Sequence, residues 1–138
     1  MRLEVEGQTP RENPSSAEVR AAVLGLRSYS PSSFASLTDD GGSYIQVGGG
    51  GVGCVLELRD AEENRHYRAY HDSPSKVFPD GTVLAFSGGN VAMRADEWFT
   101  VRVGADAFVA FLERRPLPES VRWRDISEMF EGLPRRSR

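Results

Sequence analysis

The sequence predicts an α+β domain: an antiparallel sheet of five or six strands with two main helices packed on one face. Three observations carry this expectation. Short runs rich in β-branched and aromatic residues follow one another between Ser33 and His71, each with one apolar and one mixed polar side. That alternation belongs to antiparallel strands covered on one face only. Turn-forming stretches separate the runs, notably Asp39-Asp40-Gly41-Gly42 and Asp60-Ala61-Glu62-Glu63-Asn64, where Asp, Asn and Gly supply the positive φ that tight turns need. Two other stretches place apolar residues at helical spacing: Val19, Ala22, Val23 and Leu26, then Phe108, Phe111 and Leu112.

Length and composition set the class. The 138 residues make one domain, expected over residues 1–132, with a polar tail at 133–138 expected to fray. A chain of this size buries roughly two thirds of its unfolded surface and needs no disulfide to hold a core. The net charge of -3 gives no general attraction to nucleic acid or to an anionic membrane. Lys76 is the only lysine among 17 basic residues. Cys54 stands alone, which fits a reducing compartment. No run approaches the ~20 apolar residues of a membrane span, and Met1 to Glu6 lacks the apolar segment of a secretory signal. A cytoplasmic protein is expected, with no nucleic-acid or membrane partner.

In chain order, Arg2 to Glu6 alternates as a short strand, and Gly7 to Glu12 reads as a linker. Asn13-Pro14 looks like a helix start, with Ser16 the competing cap. That helix should end near Leu26 or Arg27, before a turn at Tyr29 to Ser32. Ser33 to Thr38 is a strand. The meander follows: Tyr44 to Val47, then Cys54 to Arg59, then Arg65 to His71. The glycine run Gly48 to Gly53 reads as a flexible hairpin loop between the first two. After a loop with Pro74 and Pro79, Thr82 to Ser87 is a strand, turned by Gly88-Gly89-Asn90 onto Val91 to Arg94. Asp96 to Val101 reads equally as strand or as a loop that buries its aromatics. Gly104-Ala105-Asp106 opens the second helix, and Pro116 stops it. Ile126 to Phe130 closes the fold with one helical turn.

No reaction announces itself. The glycine run is a possible nest of N–H groups for an anion, but it lies between two strands and lacks the Lys-Ser/Thr of a phosphate loop. His66 and His71 are five apart on an extended segment, so they face opposite ways and do not share a metal. Cys54 is on the apolar side of its strand, where a thiol packs as a small hydrophobe. The carboxylates at Asp39-Asp40 and Asp60/Glu62/Glu63 are expected in solvated turns, without calcium-loop spacing. Asp96-Glu97-Trp98 sets acids beside an aromatic, while Trp98 and Trp123 are expected in the core. No catalytic residue, metal ligand or cofactor is assigned. What remains is a surface. The polar side of the meander presents Tyr44, Gln46, Glu57, Arg59, Arg68 and Tyr70, and Tyr and Arg are enriched at protein–protein hot spots. The competing reading is a solvated face laced by ion pairs such as Glu57 with Arg68.

Several blocks together carry a resemblance: Gly42-Ser43-Tyr44-Ile45-Gln46-Val47, Val55-Leu56-Glu57-Leu58-Arg59, Arg65-His66-Tyr67-Arg68-Ala69, Glu97-Trp98, Phe108-Val109-Ala110-Phe111-Leu112 and Val121-Arg122-Trp123-Arg124-Asp125-Ile126. From about Asn13 to Ile126 the chain resembles small α+β immunity proteins of bacterial polymorphic toxin systems, of the family found beside deaminase-type toxins and in an actinobacterial version. The resemblance implies a cytoplasmic protein without catalysis that binds a cognate toxin domain, possibly a nucleic-acid deaminase, and blocks its active site. It transfers no binding residue. Two other readings stand beside it. One is a small-molecule or anion-binding domain that uses Gly48–Gly53 and the Trp98 region. The other is an enzyme in which His66 or His71 works with Glu57 or Asp96.

Overall fold

The structure, a computed structural model, describes residues 1–28, 32–51, 53–86 and 89–130. The turn expected at 29–32 falls mostly outside the described residues, as do Val52, Gly88 and the tail beyond 130. Strands β1 (Arg2–Val5), β2 (Arg11–Glu12), β3 (Phe34–Thr38), β4 (Tyr44–Gly50), β5 (Gly53–Asp60), β6 (Arg65–Tyr70) and β9 (Arg122–Asp125) form one sheet in the order β2-β1-β3-β4-β5-β6-β9. All its pairings are antiparallel. Among the described residues, β7 (Thr82–Phe86) and β8 (Gly89–Met93) pair with each other in a separate two-stranded sheet. The α+β class with a large antiparallel sheet therefore holds, but among the described residues the sheet has seven strands, not five or six. The additions are edge pieces. The linker supplies β2, and Arg122–Asp125 pairs with β6.

Helices α1 (Ser16–Leu24) and α2 (Val101–Leu112) lie together on one face. Ser15, not Asn13 or Ser16, caps α1. Its hydroxyl accepts from the Glu18 N–H, and the Glu18 carboxylate accepts from the Ser15 N–H, which satisfies two of the helix's free donors at once. Thr100 caps α2 three residues earlier than the glycine signal implied. Gly104 is instead the point of close approach. A methyl there would sit 3.3 Å from Leu56 and 3.5 Å from Val23, so its absence lets α2 settle between the sheet and α1. The core between these layers holds Val19, Val23, Leu37, Ile45, Val47, Leu56 and Phe108. These are the apolar sides that the alternation assigned.

The opposite face departs from expectation. It is not open along its length, because the segment between β6 and α2 folds back across it. Val55 on that face joins Leu84 and Met93 of the hairpin in a second small core, flanked by Phe86, Val91 and Trp98. Ala95–Glu97 forms a 3-10 turn, and Phe99 bridges to Cys54 through both backbone groups. The His71 N–H donates to the Asp96 carbonyl at 2.9 Å. Residues 96–99 thus wedge between the diverging ends of β5 and β6.

The glycine run is the second correction. Strand β4 continues through Gly50, pairing Gly48 with Val55, Gly49 with Cys54 and Gly50 with Gly53. The residues are glycine because neighbours press on them. A methyl on Gly48 would be 2.7 Å from the Phe86 ring, and one on Gly50 would be 2.4 Å from the Leu26 carbonyl. Glycine in a strand often marks such a close approach.

Candidate functional site

The register settles which side chains share the polar face. Tyr44 stands opposite Arg59, Gln46 opposite Glu57, Glu57 opposite Arg68, and Arg59 opposite His66. Arg68 pairs across to Arg124, and Tyr70 to Arg122. All six residues selected from the sequence, Tyr44, Gln46, Glu57, Arg59, Arg68 and Tyr70, therefore lie on one face. They fall into two groups with different surroundings.

The first group is covered. Arg68 is only 8% exposed. Its guanidinium holds Glu57 at 2.9–3.0 Å and reaches Glu97 at 3.6 Å. Gln46 donates to the other Glu57 oxygen at 2.9 Å. Glu97, 2% exposed, also accepts from the Arg94 N–H at 2.8 Å and from Arg124 at 2.9 Å. Arg124 bonds Asp96 at 3.0 Å and lies 4.5 Å above the Tyr70 ring. Burial works against the Arg124 charge, but the hydrogen bonds and charges of Asp96 and Glu97 outweigh it and raise its pKa. Three carboxylates and two guanidinium groups thus interlock beneath the 3-10 turn. Such a network fixes how one layer lies on another, and leaving one member unpaired is costly. Glu57, Gln46 and Arg68 are directed into this network. Glu97 and Arg124 were not among the selected residues. The acids beside Trp98 had stood out in the sequence, but their partner on β9 had no signal of its own.

The second group lies beyond the folded-back segment, toward the β3–β4 and β5–β6 turns. Tyr44 and Arg59 are half-buried there. The Tyr44 hydroxyl meets His66 Nε2 at 3.1 Å, and the two rings contact edge to face. Burial first, then the charge of Arg59, lower the His66 pKa from its ordinary 6.5, with Glu57 opposing. Arg59 donates to Asn64 at 2.6 Å. The Ala61 N–H donates to the Ser43 hydroxyl at 2.9 Å, tying the two turns together.

The other sequence candidates have structural occupations. The Gly49 N–H donates to the Ser33 carbonyl and the Gly50 N–H to the Ser28 hydroxyl, so these two donors of the glycine run are engaged inside the fold. His71 meets the Trp98 carbonyl through Nε2 at 2.9 Å, and the Ser73 N–H donates to its Nδ1 at 3.2 Å. Cys54 is fully buried, its thiol contacts the Phe99 carbonyl at 3.2 Å, and burial pushes its pKa up to about 12. Trp98 stacks on Phe78 with ring centroids 4.3 Å apart, and Trp123 packs against the main core. Both indole N–H groups are buried without a hydrogen-bond partner among the described residues, as is Asp96 Oδ1. A shallow recess of about 380 Å³ lies beside Pro74, Asp80, Arg94, Ala95 and Asp96. Among the described residues, no cluster of three or more His, Cys, Asp or Glu has metal-holding geometry, and no helix is long and apolar enough to cross a membrane. Comparison with family models, with curated proteins and with solved structures gives no match.

Proposed function

We propose that this chain is an immunity protein, which binds a cognate bacterial toxin domain in the cytoplasm and blocks it by protein–protein contact without a reaction of its own. The resemblance of the meander and the C-terminal aromatic blocks to deaminase-associated immunity proteins motivates the reading. The observation that supports it best is the sheet face around Tyr44. Helices cover the reverse side and ladders run on both sides of β4 and β5, so the face is held rigid. It carries an aromatic side chain and an arginine, both half-buried, beyond the reach of the folded-back segment. A preorganised face with Tyr and Arg loses little conformational entropy on binding. The anion-binding reading is weakened because the Gly49 and Gly50 donors are engaged internally.

The test is titration calorimetry with the C-terminal domain of the polypeptide encoded immediately upstream. A one-to-one complex that abolishes the toxin's activity is expected. Tyr44→Ala should stay folded and weaken that complex by more than ~1 kcal/mol. Arg68→Ala is a poor probe, because it breaks the buried network. No heat and no inhibition, with folded protein, would refute the reading.

A further inference from the structure

Residues 71–96 leave the sheet at the end of β6 and close on themselves before the chain returns to it. The two ends meet at a root, where the His71 N–H donates to the Asp96 carbonyl. Above that clasp the Ser75 N–H donates to the Ala95 carbonyl at 2.8 Å, the Ala95 N–H to Asp80 at 2.7 Å and the Gly81 N–H to the Met93 carbonyl at 2.8 Å. The β7–β8 ladder closes the far end. Among the described residues, the hydrogen bonds of 72–95 all end within 71–97. The ion pair of Asp72 with Arg122 at 2.9 Å is exposed and lies next to the clasp. The body of the excursion therefore meets the main sheet through side chains, without a ladder. Leu84 and Met93 pack on Val55, and Phe86 lies over Gly48. Three buried residues make this second core, against eighteen in the main one. The outer side of the hairpin has no layer upon it among the described residues, and Val83 there is 55% exposed. The root is held differently. Arg124 bonds both Asp96 and Glu97, and Phe99 engages both backbone groups of Cys54.

We infer that the β7–β8 hairpin is a lid, which lifts from the sheet on the fixed root while the sheet and both helices stay folded. Segments with few buried apolar contacts open at a free energy below that of global unfolding. A hairpin without a neighbouring strand is marginal on its own in water, so its ladder comes apart when the lid lifts. Opening uncovers an apolar strip made of Gly48, Gly49 and Val55, which the closed lid keeps from water. The charge network beneath the 3-10 turn belongs to the root and stays in place, and it returns the lid to the same position on closing.

Adjacent residues of β5 give the test an internal control. Val55 faces the lid, and Cys54 packs in the main core. In Val55→Cys one molecule therefore carries a thiol under the lid and a thiol that only global unfolding exposes. Both are labelled with a thiol reagent at pH 8 over a series of low urea concentrations, each rate is divided by its rate in full denaturant, and mass spectrometry assigns the label. Position 55 should react at least about tenfold faster than Cys54, and its rate should rise less steeply with urea, since the slope follows the surface exposed. Equal normalised rates at the two positions would overturn the lid, because the hairpin would then come away only with the whole fold. Hydrogen exchange of the unaltered protein tests the same point without a substitution. Amides of β7 and β8 should show at most about half the urea slope of those in β3 to β5. A common slope for all five strands would overturn the inference. Ile45→Val, in the main core, should speed exchange in β3 to β5 roughly fivefold and leave the hairpin amides unchanged, because its contacts persist when the lid is open. Equal acceleration of both sets would count against a separate lid.

Discussion

The glycine run offers the sharpest test of the fold, because a flexible loop and a packed strand predict opposite results for alanine. At Gly50 a methyl would lie 2.4 Å from the Leu26 carbonyl carbon and oxygen and 2.6 Å from the Arg27 nitrogen. All three atoms are backbone, and β4 is held between β3 and β5, so nothing rotates aside. Overpacking of this kind costs typically 1–3 kcal/mol, and rigid backbone puts Gly50→Ala at the upper end, about 3 kcal/mol. For a chain of this length that is a fall in Tm on the order of 10 °C. At Gly48 the obstacle is the Phe86 ring at 2.7 Å. The ring can tilt with its hairpin, so Gly48→Ala should cost about 1–2 kcal/mol. Gly51 has nothing within 4 Å but sits at φ +67°, where a side chain costs roughly 1–2 kcal/mol; about 1 kcal/mol is expected because the position is open. Urea unfolding followed by far-ultraviolet circular dichroism measures all three. The expected order is Gly50, then Gly48, then Gly51. If Gly50→Ala fell within about 0.5 kcal/mol of Gly51→Ala, the close approach of the Leu26 backbone would be wrong, and with it the account of why the run is glycine.

Three further outcomes are expected. Glu97→Ala should lose ~3–5 kcal/mol, since it leaves Arg124 short of a partner and strips one from Arg68 under a closed layer; thermal unfolding reads this, and an unchanged Tm would show that the network does not hold the segment down. Cys54 should resist a thiol reagent at pH 8 in the folded protein and react fully in denaturant, because the thiolate is suppressed and buried; rapid labelling without denaturant would contradict its placement. His66 has its folded pKa below the unfolded 6.5, so the unfolded chain takes up the proton first. Its contribution is complete above that value and is lost as pH falls toward and below the lowered one. Comparing urea midpoints between pH 8 and 5, His66→Gln should flatten the decline, and parallel curves would exclude this histidine as a cause.

Much of the architecture was legible from local signals. The meander strands came from alternation, the helices from their apolar spacing, and the Asp39–Gly42 turn from its residue types. Side-chain period in a strand is two, so Tyr44, Gln46, Glu57, Arg59, Arg68 and Tyr70 could be placed on one face before any pairing was known. The α1 cap was misplaced by two residues because Asn13, Ser15 and Ser16 are all competent caps, and only the reciprocal bonds with Glu18 choose between them.

What the sequence by itself determined is therefore each element's period and which of its sides is apolar, since both depend on neighbours along the chain. What only the tertiary structure decided is what lies on top of each side. The apolar residues of the 82–93 hairpin, Leu84 and Met93, needed a surface, and they found Val55 on the polar side of the sheet. That choice buried Arg68 and Glu97 in a charge network and set the Phe86 ring against Gly48, while the Leu26 backbone closed on Gly50 from elsewhere. No local pattern encodes it, because the energy resides in contacts between residues far apart in sequence, such as Gly48 with Phe86, Gly50 with Leu26 and Glu97 with Arg124.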